Sequence, residues 1–222
     1  TVRLLESLGH ELVEATPELD RQALAEGYLL RIAAATAGEV PEAERTLGRK
    51  LRLDELETET WSLVRLGQSF SAGDLDNANR IIYSQTRRFD QFMQGYDVFL
   101  TPTLAAPPPG FGEFRLKGAE RWLAPLAKRF AAGPLVHLLP ILSRLAEQNF
   151  QWVASTPVMN MSGHPSVSLP LHWTADHLPV GMMFTGRFGD DATLFRLAGQ
   201  LETASPWFDR VSPLIARARG LK

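Results

Sequence analysis

Three residues near the end of the chain are of the types that form a Ser-His-Asp catalytic triad. They are Ser162, His164 and Asp190. In such a triad the histidine takes the serine proton as general base, and the aspartate orients the histidine. No serine of the chain stands in a Gly-x-Ser-x-Gly sequence, the turn that exposes the nucleophile in many hydrolases. We therefore interpret Ser162 as a turn residue and Asp190 as a helix cap.

A metal site is the second chemistry to consider. His164, His172 and His177 are spaced 8 and 5 residues apart around a predicted hairpin, whereas metal ligands on hairpins usually lie closer together on one face. We expect these histidines to be solvated loop residues. The adjacent Asp190 and Asp191 precede a helix whose N-terminus favours acidic residues, so capping is the preferred interpretation. The sequence thus predicts no metal and no cofactor.

Composition and charge argue against several classes of protein. The 23 basic and 25 acidic residues are mixed along the 222-residue chain and give a net charge of -2, so no nucleic-acid partner is predicted. The absence of cysteine removes disulfides and thiolate ligands. No run of about 18 apolar residues occurs, and the opening TVRLLESLGHELVEA lacks a signal-peptide core. We predict no membrane association and a cytoplasmic location.

Arg187 is expected to pair with a nearby acidic side chain.

Hydrophobic periodicity predicts both helices and strands. Apolar residues recur at helical spacing or in short β-forming runs, and glycine, proline or acidic residues mark the ends. Gly38 and Pro41 are expected to stop the second helix, Asp54 to cap the third, and Asn160 to lie in a turn. The predicted helices are 4–8, 19–37, 54–66, 74–95 and 190–201, and the predicted strands are 10–15, 98–101, 167–171 and 180–185.

The first predicted helix is too short to be stable by itself. Its apolar residues Leu4, Leu5 and Leu8 lie on one face. We expect this face to contact another chain or a segment outside this one. For the same reason Thr1 is not expected to be the natural translation start.

Several short motifs near the end of the chain carry a resemblance to a known family. An Asn-x-x-Gly-x-Pro turn precedes Leu-Pro, Leu-Pro-x-Gly and Gly-Arg-x-Gly-Asp, and an earlier segment reads Tyr-Asp-x-x-x-Thr-Pro. These motifs resemble the C-terminal signature of the amidase signature family, the serine hydrolases that cleave carboxamides. The matching positions are Asn160, Gly163, Pro165, Leu169, Pro170, Leu178, Pro179, Gly181, 186–190 and 96–102.

The resemblance implies an α/β fold with a mixed sheet covered by helices. Residues 1–222 would form the C-terminal part of a single amidase domain, with 105–150 as a variable, lid-like insert. Family members use a lysine general base, a bridging serine on a cis peptide and a serine nucleophile in a glycine- and serine-rich stretch. This chain has no Gly-Gly or Ser-Ser pair. Its lysines, all in helical or terminal polar contexts, are Lys50, Lys117, Lys128 and Lys222.

We therefore predict that the chain carries no catalytic residues. The partners implied are the N-terminal half of the same amidase and a small-molecule amide substrate, with a homo-oligomer left open. Members that cleave linear, cyclic or fatty amides and the transamidases share these motifs, so the subgroup also stays open. The alternative function is a non-catalytic binding or interaction module that kept this half of the fold.

The resemblance also assigns a substrate-binding region. In the family, the segment before the Asn160 turn lines the pocket for the acyl part of the substrate. Phe150, Val153 and Pro157 are the matching candidates here, because their i, i+3, i+7 spacing places them on one helical face. Ordinary core packing is the alternative for each of them.

Overall fold

The computed structural model describes residues 1–107, 110, 153 and 155–210. The chain divides into two compact units. The first comprises Thr1–Leu19, Thr86–Pro107 and Gln151–Lys222, and the second comprises Asp20–Gln85 and Pro108–Phe150. The predicted lid-like insert at 105–150 lies almost entirely outside the described residues, as do Phe150 and three of the lysines.

Six helices and three strands make up the described part of the chain. The helices are α1 Val2–Ser7, α2 Arg21–Leu47, α3 Thr58–Ser69, α4 Ala72–Met93, α5 Thr156–Ser162 and α6 Asp191–Ala204. The strands are β1 Val98–Pro102, β2 Ser166–Trp173 and β3 Pro179–Gly186. No helix within the described ranges combines the length and apolar character that crossing a membrane requires.

The three strands form an antiparallel sheet in the order β1-β3-β2. The strands predicted at 98–101, 167–171 and 180–185 are confirmed to within two residues at each end. The predicted class, an α/β fold with a helix-covered sheet, is also confirmed. The parallel pairs that would make the sheet mixed do not occur among the three described strands.

Each face of the sheet carries its own apolar cluster. One face packs against α1 and α6 through a core that contains Leu5, Leu169, Phe184 and Leu201. The opposite face packs against the end of α4 and against α5, in a core made of Phe89, Met93, Met159 and Met183. Because side chains alternate along a strand, Met183 and Phe184 lie on opposite faces although they are neighbours in sequence.

The prediction that the first helix faces another chain is wrong for its central residue. Leu5 is only 4% exposed and is enclosed by the sheet and α6, while Leu4 and Leu8 are partly buried against the same core. The residues that cover it lie more than 90 positions away in sequence. Local periodicity marks the apolar face but does not indicate these distant partners. Gly9, with φ +89°, follows the end of the helix, where glycine adopts the left-handed conformation without steric cost.

Helix α2 continues past the residues that were expected to stop it. It begins after Asp20, whose carboxylate accepts a hydrogen bond from the Ala23 amide at 3.0 Å. Pro41 lies inside the helix, which ends only at Gly48, where φ is +67°. Proline removes one backbone hydrogen bond. The 27-residue helix retains the others, and its packing against α3 buries residues such as Ala33.

The third and fourth helices agree with the predictions more closely. The cap of α3 differs from the prediction. Glu57, rather than Asp54, directly precedes the first residue of the helix, and Asp54 forms an ion pair with Arg52. At the start of α4, the Ser71 amide donates to the Asp74 carboxylate at 2.8 Å, and the Asp74 amide donates to Ser71 Oγ at 3.1 Å. These reciprocal bonds satisfy two amides that the helix itself leaves without partners.

The strand predicted at 10–15 is absent. Residues 10–20 belong to neither a helix nor a strand. A strand requires a hydrogen-bonded neighbour as well as a suitable sequence. None of the three described strands pairs with this segment.

Candidate functional site

The predicted acyl-pocket residues lie at and before the start of α5. Val153 is half-buried, and its carbonyl accepts a hydrogen bond from Thr156 Oγ1 at 3.2 Å. Pro157 is buried in the first turn of α5, where its fixed φ suits a helix start. Phe150 lies outside the described residues. The role of these three residues in a pocket wall therefore stays a prediction.

Asn160 lies inside α5 rather than in a turn. The turn comes three residues later at Gly163, whose φ of +72° ends the helix. Glycine adopts this left-handed conformation without steric cost. The Gly163 amide donates to the Met159 carbonyl at 2.9 Å and closes the last turn of α5.

Ser162, His164 and Asp190 do not form a triad. Ser162 Oγ donates to the Met159 carbonyl at 3.3 Å. The Asp190 carboxylate accepts bonds from the amide and hydroxyl of Thr193, which caps α6 as predicted and lowers the pKa of Asp190. Each of the two side chains thus has a partner that fixes the local fold, and neither partner is His164.

His164 is buried, which corrects its assignment as a solvated loop residue. It is 5% exposed, and its ring lies at right angles to the rings of Phe89 and Phe188, with centroids 4.9 and 5.9 Å away. The turn at Gly163 directs the chain so that His164 packs against α4. His172 and His177 are exposed as predicted.

The environment of His164 favours the neutral imidazole. Burial lowers the pKa of His164, and the Asp90 carboxylate, 3.7 Å from Nε2, opposes this shift only in part. Within the described residues neither ring nitrogen has a hydrogen-bond partner. Protonation would therefore place a charge among aromatic rings, with the largely exposed Asp90 carboxylate as its counter-ion.

We expect the stability of the protein to fall on acidification through His164. Below about pH 6.5 the unfolded state binds a proton at this residue. The folded state binds it only at lower pH, so the free energy of unfolding rises with pH between the folded pKa and the unfolded pKa. His164→Phe should flatten this part of the profile. Urea denaturation at several pH values from about 5 to about 7 measures the effect.

The exposed His172 supplies the matched control for this prediction. His172→Phe removes one exposed histidine and, as a surface substitution, should change the free energy of unfolding by less than about 0.5 kcal/mol. If the free energy of unfolding had the same pH dependence in His164→Phe and in the wild type, the pKa of His164 would be the same in the folded and unfolded states, which would contradict the prediction.

Arg187 fixes the end of α4 to the start of β1. Its Nε donates to the carbonyls of Met93 and Tyr96 at 3.4 and 2.9 Å, and its Nη2 donates to the Asp97 carboxylate at 3.1 Å. The predicted pairing with a nearby acid is confirmed. A cation at this position also complements the partial negative charge of the helix C-terminus.

Hydroxyl side chains from all three strands share one face of the sheet, which we call the hydroxyl face. Thr103 Oγ1 and Ser168 Oγ are 2.6 Å apart, and Ser166 Oγ and Thr185 Oγ1 are 2.9 Å apart. Gly181 lies beneath the first pair, because a Cβ there would approach the two hydroxyl oxygens to 2.6 and 2.8 Å. The Thr101 hydroxyl is buried and has no partner among the described residues.

The hydroxyl face can donate and accept hydrogen bonds, but none of the side chains just named is a lysine, histidine or carboxylate that would remove a proton. Lys50, the one lysine in the described ranges, is exposed and bonded to Glu44 at 2.6 Å. Sequence reasoning missed this face although a signal was present. Ser166 and Ser168 are two residues apart in β2, Thr103 follows the end of β1 two residues after Thr101, and alternate residues of a strand point to the same side.

A metal ion has no evident binding site in the described part of the chain. No group of three histidine or acidic side chains there is close enough together to hold one. The residues considered as metal ligands in the sequence have other roles or positions. Asp190 caps α6, and His172 and His177 are exposed.

Comparison with known proteins connects these features with a family. The amidase family profile matches residues 134–195. A Mycobacterium leprae protein named "Putative amidase AmiC" is 33% identical over 207 residues, which is 93% of this chain and 39% of that protein. The 6-aminohexanoate-cyclic-dimer hydrolase of Pseudomonas sp. strain NK87 is 28% identical over 97% of this chain and 41% of its own length.

A solved structure of 6-aminohexanoate cyclic dimer hydrolase supports the same relationship in three dimensions. It superimposes with a TM-score of 0.78 at 25% identity, covering 96% of this chain and 41% of the solved one. Sequence and structure thus agree that the chain is related to the amidases. The chain spans about two fifths of the length of the relatives it matches.

Proposed function

We propose that residues 1–222 form the C-terminal portion of an amide-bond hydrolase. The observation that carries the proposal is the similarity over nearly the whole chain to proteins named as amidases and as a cyclic-amide hydrolase. The order of the motifs, from Tyr96 to the start of α6, supports the C-terminal placement. In the complete enzyme this portion supplies the sheet, part of the substrate-pocket wall and a lid at 105–150.

The nucleophile and its base come from the part of the enzyme outside this chain. Two observations support this assignment. The serines around the Gly163 turn are bonded to neighbouring backbone or hydroxyl groups, and Lys50 is exposed on the second unit. A lysine that serves as general base needs a lowered pKa, which burial supplies and exposure does not. The proposed mechanism is acyl transfer through a Ser-Ser-Lys triad in the cytoplasm.

The substrate is a small amide whose acyl part lies against Phe150, Val153 and Pro157. Apolar walls select substrates by shape, and one methylene in such a pocket changes discrimination by about 1–3 kcal/mol. The hydroxyl face provides neutral donors and acceptors that suit the carbonyl and N–H of an amide. No metal or organic cofactor is required for acyl transfer of this kind.

Turnover of a panel of aryl and alkyl amides tests the proposed activity. We expect the complete protein to release amine from at least one of them, and residues 1–222 alone to release none. The complete protein is purified in parallel with the isolated chain, and circular dichroism verifies that both are folded. Turnover by residues 1–222 that disappears on mutation of one of its serines would contradict the proposal. Folded complete protein without activity would favour the binding module.

A volume change at Val153 tests the pocket wall. In the complete enzyme Val153→Phe should shift kcat/KM towards amides with shorter acyl chains, because the ring fills space that a longer chain needs. Expressed as a free energy, this change in chain-length preference should exceed any change in the stability of the enzyme. Val158→Phe is the control, since Val158 packs against the buried Met159 cluster and should lower stability without changing chain-length preference. Equal preferences in Val153→Phe and the wild type would assign Val153 to the core.

A further inference from the structure

The two hydroxyl pairs of the hydroxyl face differ in how many of their hydrogens are used. A hydrogen bond between two hydroxyl groups uses one of their two hydrogens and leaves the other. Ser166 Oγ also donates to the His164 carbonyl at 3.5 Å, so both hydrogens of the Ser166–Thr185 pair have acceptors. Within the described residues the side chains of Thr103 and Ser168 bond only to each other. The Thr103–Ser168 pair therefore keeps one hydrogen without an acceptor.

A ligand has access to the Thr103–Ser168 pair in the described part of the chain. Ser168 is exposed and Thr103 is half-buried. Gly181 of β3 lies between them, and a side chain at that position would collide with both hydroxyl oxygens. The absence of a side chain at Gly181 thus allows the two hydroxyl groups to meet above β3.

A third hydroxyl on the same side of the sheet also has no acceptor. Thr101 Oγ1 is buried and has no hydrogen-bond partner among the described residues. Buried hydroxyl groups nearly always have a partner in folded proteins. Together with the Thr103–Ser168 pair, this side of the sheet has two hydroxyl hydrogens for which an acceptor is missing. A carbonyl oxygen, which accepts two hydrogen bonds, has the matching chemistry.

These hydroxyl groups border the place where α5 packs on the sheet. Met183 of β3 lies opposite both Thr101 and Ser168 in the strand register, and residues opposite each other share a face. Met183 packs in the same apolar cluster as Met159 of α5. Pro157, one of the predicted pocket-wall residues, lies two positions before Met159 in that helix.

We propose that Thr101, Thr103 and Ser168 form a polar subsite that binds a carbonyl oxygen in the acyl part of the substrate, beyond the amide that is cleaved. The proposal rests on the proposed function, because it assumes an amide substrate whose acyl part lies against α5.

The subsite defines a class of substrate. Amides whose acyl chain carries a second carbonyl group, as in an acylated amino acid, are preferred to amides with a plain alkyl chain of the same length. An alkyl chain leaves the hydroxyl donors without an acceptor once it covers them, and the enzyme discriminates against it for that reason.

A set of anilides with acyl chains of equal length tests the proposal in the complete protein. One chain is plain alkyl, and each of the others carries an internal amide at a different position. Either hydroxyl alone keeps a hydrogen to donate, so Thr103→Val and Ser168→Ala are combined in one variant. This variant should lower kcat/KM about 3- to 10-fold for at least one internal-amide substrate and leave that for the alkyl substrate unchanged. An equal change for all substrates would overturn the subsite.

The second hydroxyl pair supplies the matched control. Ser166→Ala breaks the pair that has no unused hydrogen, so it should lower Tm and leave the ratio of kcat/KM between internal-amide and alkyl substrates unchanged. Thr103→Ser keeps a hydroxyl at position 103 and should keep the wild-type ratio. Loss of the ratio in Ser166→Ala to the same extent as in the double variant would contradict the proposal.

Thr101→Val tests the buried hydroxyl separately. Valine has nearly the shape of threonine and lacks the oxygen. Because Thr101 Oγ1 has no partner in the described residues, Thr101→Val should not lower the Tm of residues 1–222. In the complete protein it should reduce the preference for the internal-amide substrate. An unchanged preference would remove Thr101 from the subsite.

Calorimetric titration of the same anilides separates this inference from the proposed function. In a complete protein without turnover, tighter binding of an internal-amide anilide that the double variant loses would support the subsite and reject the hydrolase. Equal or absent binding in such a protein would overturn both. Turnover with the same substrate preference in the wild type and the double variant would support the hydrolase and reject the subsite.

Discussion

Phe89→Ala should destabilise the first unit by about 3–5 kcal/mol, the range for removing a fully buried aromatic side chain. Phe89 is 0% exposed and contacts the rings of Phe92, Phe99 and His164. Its removal leaves a cavity between α4 and the sheet that the surrounding rigid elements cannot fill. Urea denaturation followed by circular dichroism measures the loss.

Tyr83→Ala is the matched control on the same helix. Tyr83 is 64% exposed, and substitutions at such surface positions usually change stability by less than about 0.5 kcal/mol. Because both variants replace an aromatic residue of α4 with alanine, a change in helix propensity is common to both. Similar losses for Phe89→Ala and Tyr83→Ala would contradict the assignment of Phe89 to the centre of the core.

Gly67→Ala should destabilise the second unit by about 3 kcal/mol, the upper end of the usual range for overpacking. A Cβ at Gly67 would lie 2.5 Å from the Ala33 carbonyl carbon and 2.8 Å from Ala37 Cβ, and still closer to the Ala33 carbonyl oxygen. Two of these atoms belong to the backbone of α2, so relief requires α2 and α3 to separate. The same denaturation measurement applies.

Gly38→Ala is the control for this substitution. Gly38 is exposed within α2, and a Cβ there would have no atom within 4 Å. Alanine is favoured over glycine in a helix interior by about 0.5–1 kcal/mol, so Gly38→Ala should raise stability. A gain in stability for Gly67→Ala similar to that for Gly38→Ala would show that the two helices are not in close contact at Gly67.

The strands were predictable because each is marked by local sequence. β1 is an apolar run that ends near Pro102, and β2 and β3 flank a turn that includes Asp176 and His177. The end of α2 was not predictable from the same rules. Proline and glycine weaken a helix locally, but the contact of Ala33 with α3 comes from another part of the chain and outweighs that loss.

The predictions about individual side chains failed where burial depends on distant residues. His164 is buried by Phe89 of α4, and Leu5 is buried by β2, β3 and α6. Neither partner is visible within a window of neighbouring sequence. The role of Asp190 was predictable, since an acidic helix cap acts locally. For Arg187 the sequence predicted an acidic partner, but it did not indicate which one or the two backbone carbonyls that Arg187 also contacts. The strand at 10–15 was predicted from its own residues, whereas its formation depends on a second strand.

Labelling of the complete protein with a fluorophosphonate, which reacts with activated serine nucleophiles, most directly tests the proposal that the catalytic serine lies outside this chain. The labelled peptide is identified by mass spectrometry after proteolysis. We expect one labelled serine in the part of the protein outside residues 1–222, and loss of amide turnover in proportion to labelling. A label on any serine of residues 1–222, with the same loss of turnover, would contradict the account.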